Sequence, residues 1–238
     1  MIQFYAPDIE KELCLPEGES GHCCRVLRKK EGDEIIVTDG KGHRFICEII
    51  KDNPKRTELK IKGKETFKLE RNYSLTLAVA PTKNADRMEW LAEKAVEIGI
   101  DRIVLIRCER SERKVLRPER LLKVMISAMK QSLSTFLPLI SEDKPFKDFI
   151  NEDFGMAQKF LGYCSDLYPR KSFVKECSPG REVVVMIGPE GDFTEKEVEK
   201  AVEKGFMPVT FGDKRLRTET AGIFAVAAVD VINQLQNT

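Results

Sequence analysis

EVVVMIGPEGDFTEKE, residues 182–197, passes from an apolar run, Val183 to Ile187, through a loop holding two glycines and a proline into a charged helical pattern. The run reads as a buried strand, and Thr194-Glu195-Lys196-Glu197 reads as a capping box opening a helix that ends at Gly205. Strand, short loop and helix in that order are a repeating unit of a parallel sheet. A turn of this kind needs at most one glycine with positive φ. Gly188, Pro189 and Gly191 together therefore imply that something approaches the backbone closely. In an open parallel sheet ligands bind beyond the carboxyl ends of the strands, where this loop falls.

Working outward, the same alternation recurs from Tyr73 to the end. SLTLAVA is a short apolar run ended by Pro81, and NADRMEWLAEKAVEIG sets Met88, Leu91, Ala92, Ala95 and Ile98 on one helical face and stops at Gly99, with Trp90 assigned to the packing surface. DRIVLI is the next strand, Pro118 opens a helix through LLKVMISAMKQSL, and KFLGYC and MPVTFG are further strands before a last helix from about Thr218. Residues 73–238 are thus expected to form an α/β domain, a parallel sheet with helices on both faces. Residues 1–68 have a different rhythm: DEIIVTDG, KGHRFICEII and RTELKIKG are strands, Asp39-Gly40-Lys41-Gly42 is a turn, and Gly21 to Arg28 is one short helical piece. Short strands closed around one helix describe a small β-barrel, a shape often used to hold RNA.

Composition sets bounds on the rest. The chain has 238 residues, 42% of them hydrophobic, enough for a real core, and no apolar run of membrane-spanning length, so a soluble, cytoplasmic protein without a membrane partner is expected. Seven cysteines with no CxxC pair suggest neither a disulfide framework nor a metal site. A net charge of +1 argues against a basic coat. Between Arg107 and Arg120, however, six basic residues, Arg110 and Arg113 among them, face three acids. That excess is either a solvated face or a local RNA contact. The last helix carries AGIFAVAAVDVI, where only Asp230 is charged; one side can pack on its own sheet and the other on a second copy of the chain.

The ligand loop lacks GxxxxGK[ST] and GxGxxG, and Glu190 and Asp192 would repel a phosphate, so a neutral or positively charged ligand suits it better. FGDKRLRTETAG, residues 211–222, is a second strand-to-helix turn about twenty residues further on. Taken with GPEGDFTEKE, it resembles the C-terminal signature of the trefoil-knotted SPOUT methyltransferases, specifically the bacterial family that methylates N3 of a uridine in 16S rRNA. HCCRVLRKKEGDEI, PTKNADRMEWLAEKAVEIGI and KQS at 130–132 extend the resemblance over nearly the whole chain.

The resemblance implies a PUA-like β-barrel followed by a knotted α/β domain, S-adenosylmethionine bent into the knot, a homodimer formed through the C-terminal helix, and a substrate in 16S rRNA, within a small-subunit particle. On that reading the cofactor meets Ile187, Gly188, Pro189, Glu190, Gly191, Phe211, Gly212, Leu216 and Thr218, the glycines giving backbone access while Ile187 and Leu216 sandwich the base. The sulfonium is already activated, so catalysis needs alignment and a cation for the negative charge on the uracil oxygens. Arg217, beside the cofactor loop, is the first candidate, with Lys83 and Arg87 next; Glu219 is either a base or an orienting partner for Arg217. His22, Arg25 and Arg28 are candidate RNA contacts, the two arginines sharing one short helical face at i, i+3, while His43 has no visible role.

Taken singly, each of these residues also has a plain reading: Arg217 a surface arginine, Glu190 a turn acid, Thr218 an N-cap. One departure stands out: where the family commonly has an arginine shortly after its Gln-Ser, this chain has Ser134, so that contact is absent or supplied elsewhere. Two rival readings remain at this level, a knotted methyltransferase acting on a tRNA base or a ribose 2′-OH, and a non-catalytic RNA-binding assembly factor.

Overall fold

The computed structural model describes residues 2–112, 117–141, 143–165 and 168–236. The chain divides into two units. One holds Met1–Glu70 with Ile126–Leu137, and the other holds Arg71–Met125 with Pro138–Thr238. The segment Ile126–Leu137 thus groups with the N-terminal residues, although its sequence continues a helix of the α/β pattern.

In the first unit β1 (Gln3–Tyr5) pairs parallel with β2 (Glu34–Thr38), and β3 (His43–Lys51) pairs antiparallel with both β2 and β4 (Glu58–Thr66). The order is β1-β2-β3-β4, and no ladder joins β4 to β1 among the described residues. The sheet is therefore open where a closed barrel was expected. Alternation places Val37, Phe45, Cys47 and Ile49 in a core with Phe4, Ile9 and Leu15. The Asp39–Gly42 turn forms as read: Asp39 Oδ1 accepts the N–H groups of Lys41 (2.7 Å) and His43 (3.1 Å), and Gly40 and Gly42 have positive φ. His43, without a role in the sequence, places Nδ1 2.6 Å from Asp39 Oδ2 and so braces this turn.

Between β1 and β2 lie α1 (Ile9–Glu12), α2 (Glu17–Gly21) and a wide π-type turn over His22–Val26. Arg25 belongs to that turn, but Arg28 lies beyond it with φ +55. The expected i, i+3 face does not exist, because the π turn widens the spiral and the chain leaves it before Arg28.

The second unit carries a parallel sheet, of eight strands among the described residues. Its strands are β5 (Ser74–Val79), β6 (Arg102–Arg107), β7 (Leu139–Ile140), β8 (Lys144–Pro145), β9 (Gln158–Gly162), β10 (Lys171–Ser172), β11 (Glu182–Ile187) and β12 (Met207–Thr210). The order is β10-β12-β9-β11-β5-β6-β7, with β8 beside β6. Each of these pairings is parallel, and β11 lies between β5 and β9.

The main helices are α3 (Ala85–Ile98), α4 (Pro118–Gln131), α7 (Glu195–Glu203) and α8 (Thr218–Gln234), and α5 (Phe146–Phe149) and α6 (Phe173–Glu176) are single turns. Their ends follow local chemistry. Asn84 Oδ1 caps α3 by accepting the Asp86 N–H, Gly99 ends it at φ +118, and α7 has both arms of the Thr194/Glu197 capping box. One face of the sheet buries Val104, Ile106, Val184 and Met186 beneath Phe146, Phe149, Val198 and Ala201. On the other, α8 lies so close to α3 and β5 that a Cβ at Gly222 would sit 2.7 Å from Leu91 and 3.3 Å from Leu77.

The apolar last helix has two faces. Ala225, Val226 and Val229 are buried within the unit, whereas Phe224 and Val231 are exposed, 37% and 52%. Trp90, assigned to packing, is 44% exposed. Among the described residues no helix is long and apolar enough to cross a membrane.

Candidate functional site

Three neighbouring parallel strands end together. Gly162, the last residue of β9, is in register with Ile187 at the end of β11 on one side and with Val209 of β12 on the other. The loops that leave these strands enclose a cavity of about 1050 Å³. The carboxyl edge of a parallel sheet is where such a cavity is expected, since each chain must turn away there towards its helix.

The loop after β11 is built around its own bonds. Asp192 N–H donates to Pro189 O (2.9 Å), and the left-handed residue in the turn is Asp192 (φ +60), not a glycine. Asp192 Oδ2 accepts the Cys164 N–H of the β9 loop (3.0 Å), and Thr218 Oγ1 at the start of α8 donates to Gly188 O (3.1 Å). Phe193 turns inward onto Phe146, their ring centroids 5.7 Å apart. Gly188 is small because a Cβ there would lie 3.0 Å from the Phe193 ring.

Ile187, Gly188, Pro189, Glu190, Phe211, Gly212, Leu216, Arg217, Thr218 and Arg87 all line the cavity, as expected of a ligand site. Gly191 does not. A Cβ at Gly191 would meet Arg110 at 3.2 Å, and the Arg110 guanidinium donates to Gly191 O (3.1 Å), so the glycine accommodates an arginine of its own chain. Arg110, a candidate RNA contact, is thereby committed to bracing this loop. Gly212 is the glycine whose conformation demands it, at φ +124 with open space where a Cβ would go.

Thr218 is the first residue of α8 and Arg217 is the N-cap, without a side-chain cap bond. Arg217 is exposed on a cationic rim with Lys214 and Arg215. Acids line the cavity as well: Glu190 and Asp192 of the β11 loop, and Asp213 beside Lys214 in the same loop as the cations.

Glu219 lines neither this cavity nor its neighbour, is 7% exposed, and pairs with Arg87 (Oε1 to Nε 3.6 Å), not with Arg217. Lys83 belongs to a smaller adjoining cavity of about 490 Å³, lined also by Asn84, Arg87, Glu112 and Glu190. Its Nζ lies 3.4 Å from Glu112, and its N–H donates to Glu190 Oε1 (3.0 Å). In the first unit His22 and Arg25 are exposed, as is Arg28. Arg113 lies outside the described residues. Ser134 exchanges bonds with Phe136, and Arg44 reaches the adjacent Leu133 carbonyl (3.2 Å), which places an arginine next to Ser134 from another strand.

The β9 loop escaped sequence reasoning. Gly162, Tyr163, Cys164, Tyr168 and Arg170 all line the cavity, and Arg170 donates to Tyr163 O (3.3 Å). A Cβ at Gly162 would lie 2.5 Å from the Phe211 ring, so a glycine closing an apolar strand was the available signal. Burial and the Asp192 carboxylate push the Cys164 thiol up, which disfavours its thiolate.

A cavity at parallel strand ends, lined by apolar, acidic and cationic side chains, defines a ligand-binding α/β domain. Its class follows from comparison with known proteins: residues 69–230 match the model of an RNA methyltransferase domain, and residues 15–62 match an RNA methyltransferase PUA domain. The chain belongs to the RNA methyltransferase family, and its N-terminal unit contains the PUA domain of that family.

A probable rRNA-methyltransferase from Porphyromonas gingivalis is similar at 40% identity and TM-score 0.93, covering 99% of this chain and 100% of that one. Ribosomal RNA small subunit methyltransferase E from Neisseria gonorrhoeae, solved bound to S-adenosyl methionine, is similar at 28% identity and TM-score 0.82, with 98% of each chain covered. The protein of that name from Bacillus subtilis is 25% identical over 229 residues, 91% of this chain and 89% of its own.

Proposed function

We propose that this chain transfers a methyl group from S-adenosylmethionine to N3 of a uridine in 16S rRNA, within a small-subunit particle in the cytoplasm. The observation that carries this reading is the cavity at the ends of β9, β11 and β12 in a chain of this family, lined by both acids and cations. The residues present fit the cofactor. The volume suits a nucleoside with an amino-acid arm, and Ile187, Val209 and Leu216 offer apolar walls for a base. Glu190, Asp192 and Asp213 suit its positive centres. The non-sequential order β12-β9-β11-β5 supports the trefoil knot as part of the same reading.

When bound, S-adenosylmethionine supplies an activated methyl on a sulfonium. The chain's own residues then have three tasks. Apolar walls fix the base, the β11 loop presents backbone groups held by Thr218 and Cys164, and the rim of Lys214, Arg215 and Arg217 meets RNA phosphate. Arg217, exposed at the rim, is better placed for that contact than for the uracil oxygens. In the first unit His22, Arg25 and Arg28 add RNA contacts. The residues above would hold N3 of the uracil in line with the cofactor's methyl group, which it would receive once the N3 proton has passed to water.

The exposed Phe224 and Val231 on α8 support a homodimer through that helix. Val231→Glu should then give a folded monomer in light scattering; an unchanged dimer would remove α8 from the interface.

Calorimetric titration with S-adenosylmethionine, followed by mass mapping of rRNA from a strain lacking the gene, with and without complementation, tests the function. An N3-methylated uridine restored by the gene supports it. A ribose 2′-O-methyl product, a modified tRNA, or no cofactor binding would overturn it.

A further inference from the structure

Among the described residues Arg87 is the one cation that lines both cavities, the large one at the strand ends and the smaller one beside it; Glu190 is also shared. It is the third residue of α3, a helix whose start is pinned by the Asn84 cap. Behind it stands Glu219, second residue of α8, where the helix N-terminus favours a carboxylate. Glu219 is more than nine-tenths buried, its Oε1 lies 3.6 Å from Arg87 Nε, and its buried Oε2 has no hydrogen-bond partner among the described residues. A buried carboxylate oxygen left unpaired costs stability and calls for a reason. Because Glu219 lines neither cavity, that reason acts through a neighbour, and the neighbour within reach is Arg87. Lys83 is a weaker candidate: its side chain is 83% exposed and is paired with Glu112, itself 58% exposed.

We infer that the acceptor uracil enters at the junction of the two cavities, that Arg87 is the catalytic cation facing its imide oxygen, and that Glu219 is the positioning residue that holds the guanidinium. This rests on the proposed N3 methylation. A guanidinium presents several N–H groups in a planar fork, so one edge can face Glu219 while another faces a carbonyl oxygen that gains charge as the N3 proton leaves to water. The pair also explains why Glu219 is an acid and not a helix-start serine: a charge is needed to keep an arginine from relaxing into solvent.

The test is single-turnover methylation of a 30S-particle substrate across pH for wild type, Arg87→Ala, Arg87→Lys, Glu219→Gln and Arg217→Ala, with S-adenosylmethionine affinity measured calorimetrically for each. Arg87→Ala should lower the rate at saturating RNA by roughly two to three orders of magnitude, and Glu219→Gln by about tenfold. In both, the pH at which the rate levels off should move upward, because the imide anion is then less favoured; Arg87→Lys should restore part of the rate. Cofactor affinity should stay within about threefold throughout. A pH plateau indifferent to Arg87, a cofactor affinity that falls as far as the rate does, or a plateau that moves with Arg217 and not Arg87 would overturn this inference alone. A wild-type product methylated elsewhere than N3 would overturn the functional reading itself and the role of Arg87 with it.

Discussion

The loops after β11 and β12 border one cavity but are held in different ways. Gly188–Phe193 is braced from outside: Thr218 bonds its first carbonyl, Arg110 its middle one, and its Asp192 accepts the N–H of Cys164. Phe211–Arg217 is held mainly at its start, where Thr210 Oγ1 donates to Gly212 O (2.8 Å) and Phe211 packs on Phe173 and Phe224, while Lys214, Arg215 and Arg217 stand exposed. The first loop is shaped before any ligand arrives, which lowers the ordering cost of binding a small molecule. The second carries exposed cations, which under the proposed function would meet a long polyanion, a task that needs no fixed geometry.

If this division is right, changes at the braced side should strike the small ligand and changes at the rim should strike RNA. The largest effect is expected from Gly162→Val, whose Cβ would lie 2.5 Å from the Phe211 ring and 2.9 Å from Ile187. The displaced ring should weaken S-adenosylmethionine binding on the order of a hundredfold, with stability reduced by about 1–3 kcal/mol, read by calorimetry and thermal unfolding. Thr218→Val comes next. It removes the donor to the buried Gly188 carbonyl and should cost about 1–3 kcal/mol of stability together with roughly tenfold in cofactor affinity; an affinity equal to wild type would mean the brace is irrelevant to the ligand.

Replacing Lys214, Arg215 and Arg217 together with Ala should weaken RNA binding and flatten its salt dependence by about 0.7 in log–log slope for each phosphate no longer neutralised. Cofactor affinity should be unaffected, and a drop in it would erase the distinction between the loops. The smallest effect is expected from Gly191→Ala. Its Cβ would meet Arg110 at 3.2 Å, outside the cavity, so cofactor binding measured by titration should change by less than about threefold, in contrast to Gly162→Val.

Local signals were readable in the sequence because they act over a few residues. Asn84 and Gly99 bound α3 and Thr194 with Glu197 opens α7 through bonds to their own turns, while Pro118 opens α4 through its fixed φ. Other features depended on partners distant in the chain. The same glycine pair had two explanations, and only packing separates them: Gly188 makes room for Phe193, and Gly191 makes room for Arg110. Tyr163 and Cys164 carry no motif, and they reach the cavity only because β9 lies between β11 and β12.

By itself the sequence determined that strands and helices alternate after Tyr73, that two glycine- and charge-rich turns follow strands, and that the family signature lies in those turns. The tertiary structure decided which side chains meet: Glu219 with Arg87 and not Arg217, Val226 and Val229 in the core with Val231 outside, and Ile126–Leu137 with the N-terminal unit. The physical reason is range. Caps, turns and periodicity are set by neighbours within one or two helical turns, whereas the strand order β12-β9-β11-β5 brings together residues from opposite ends of the unit, and no local preference encodes that juxtaposition.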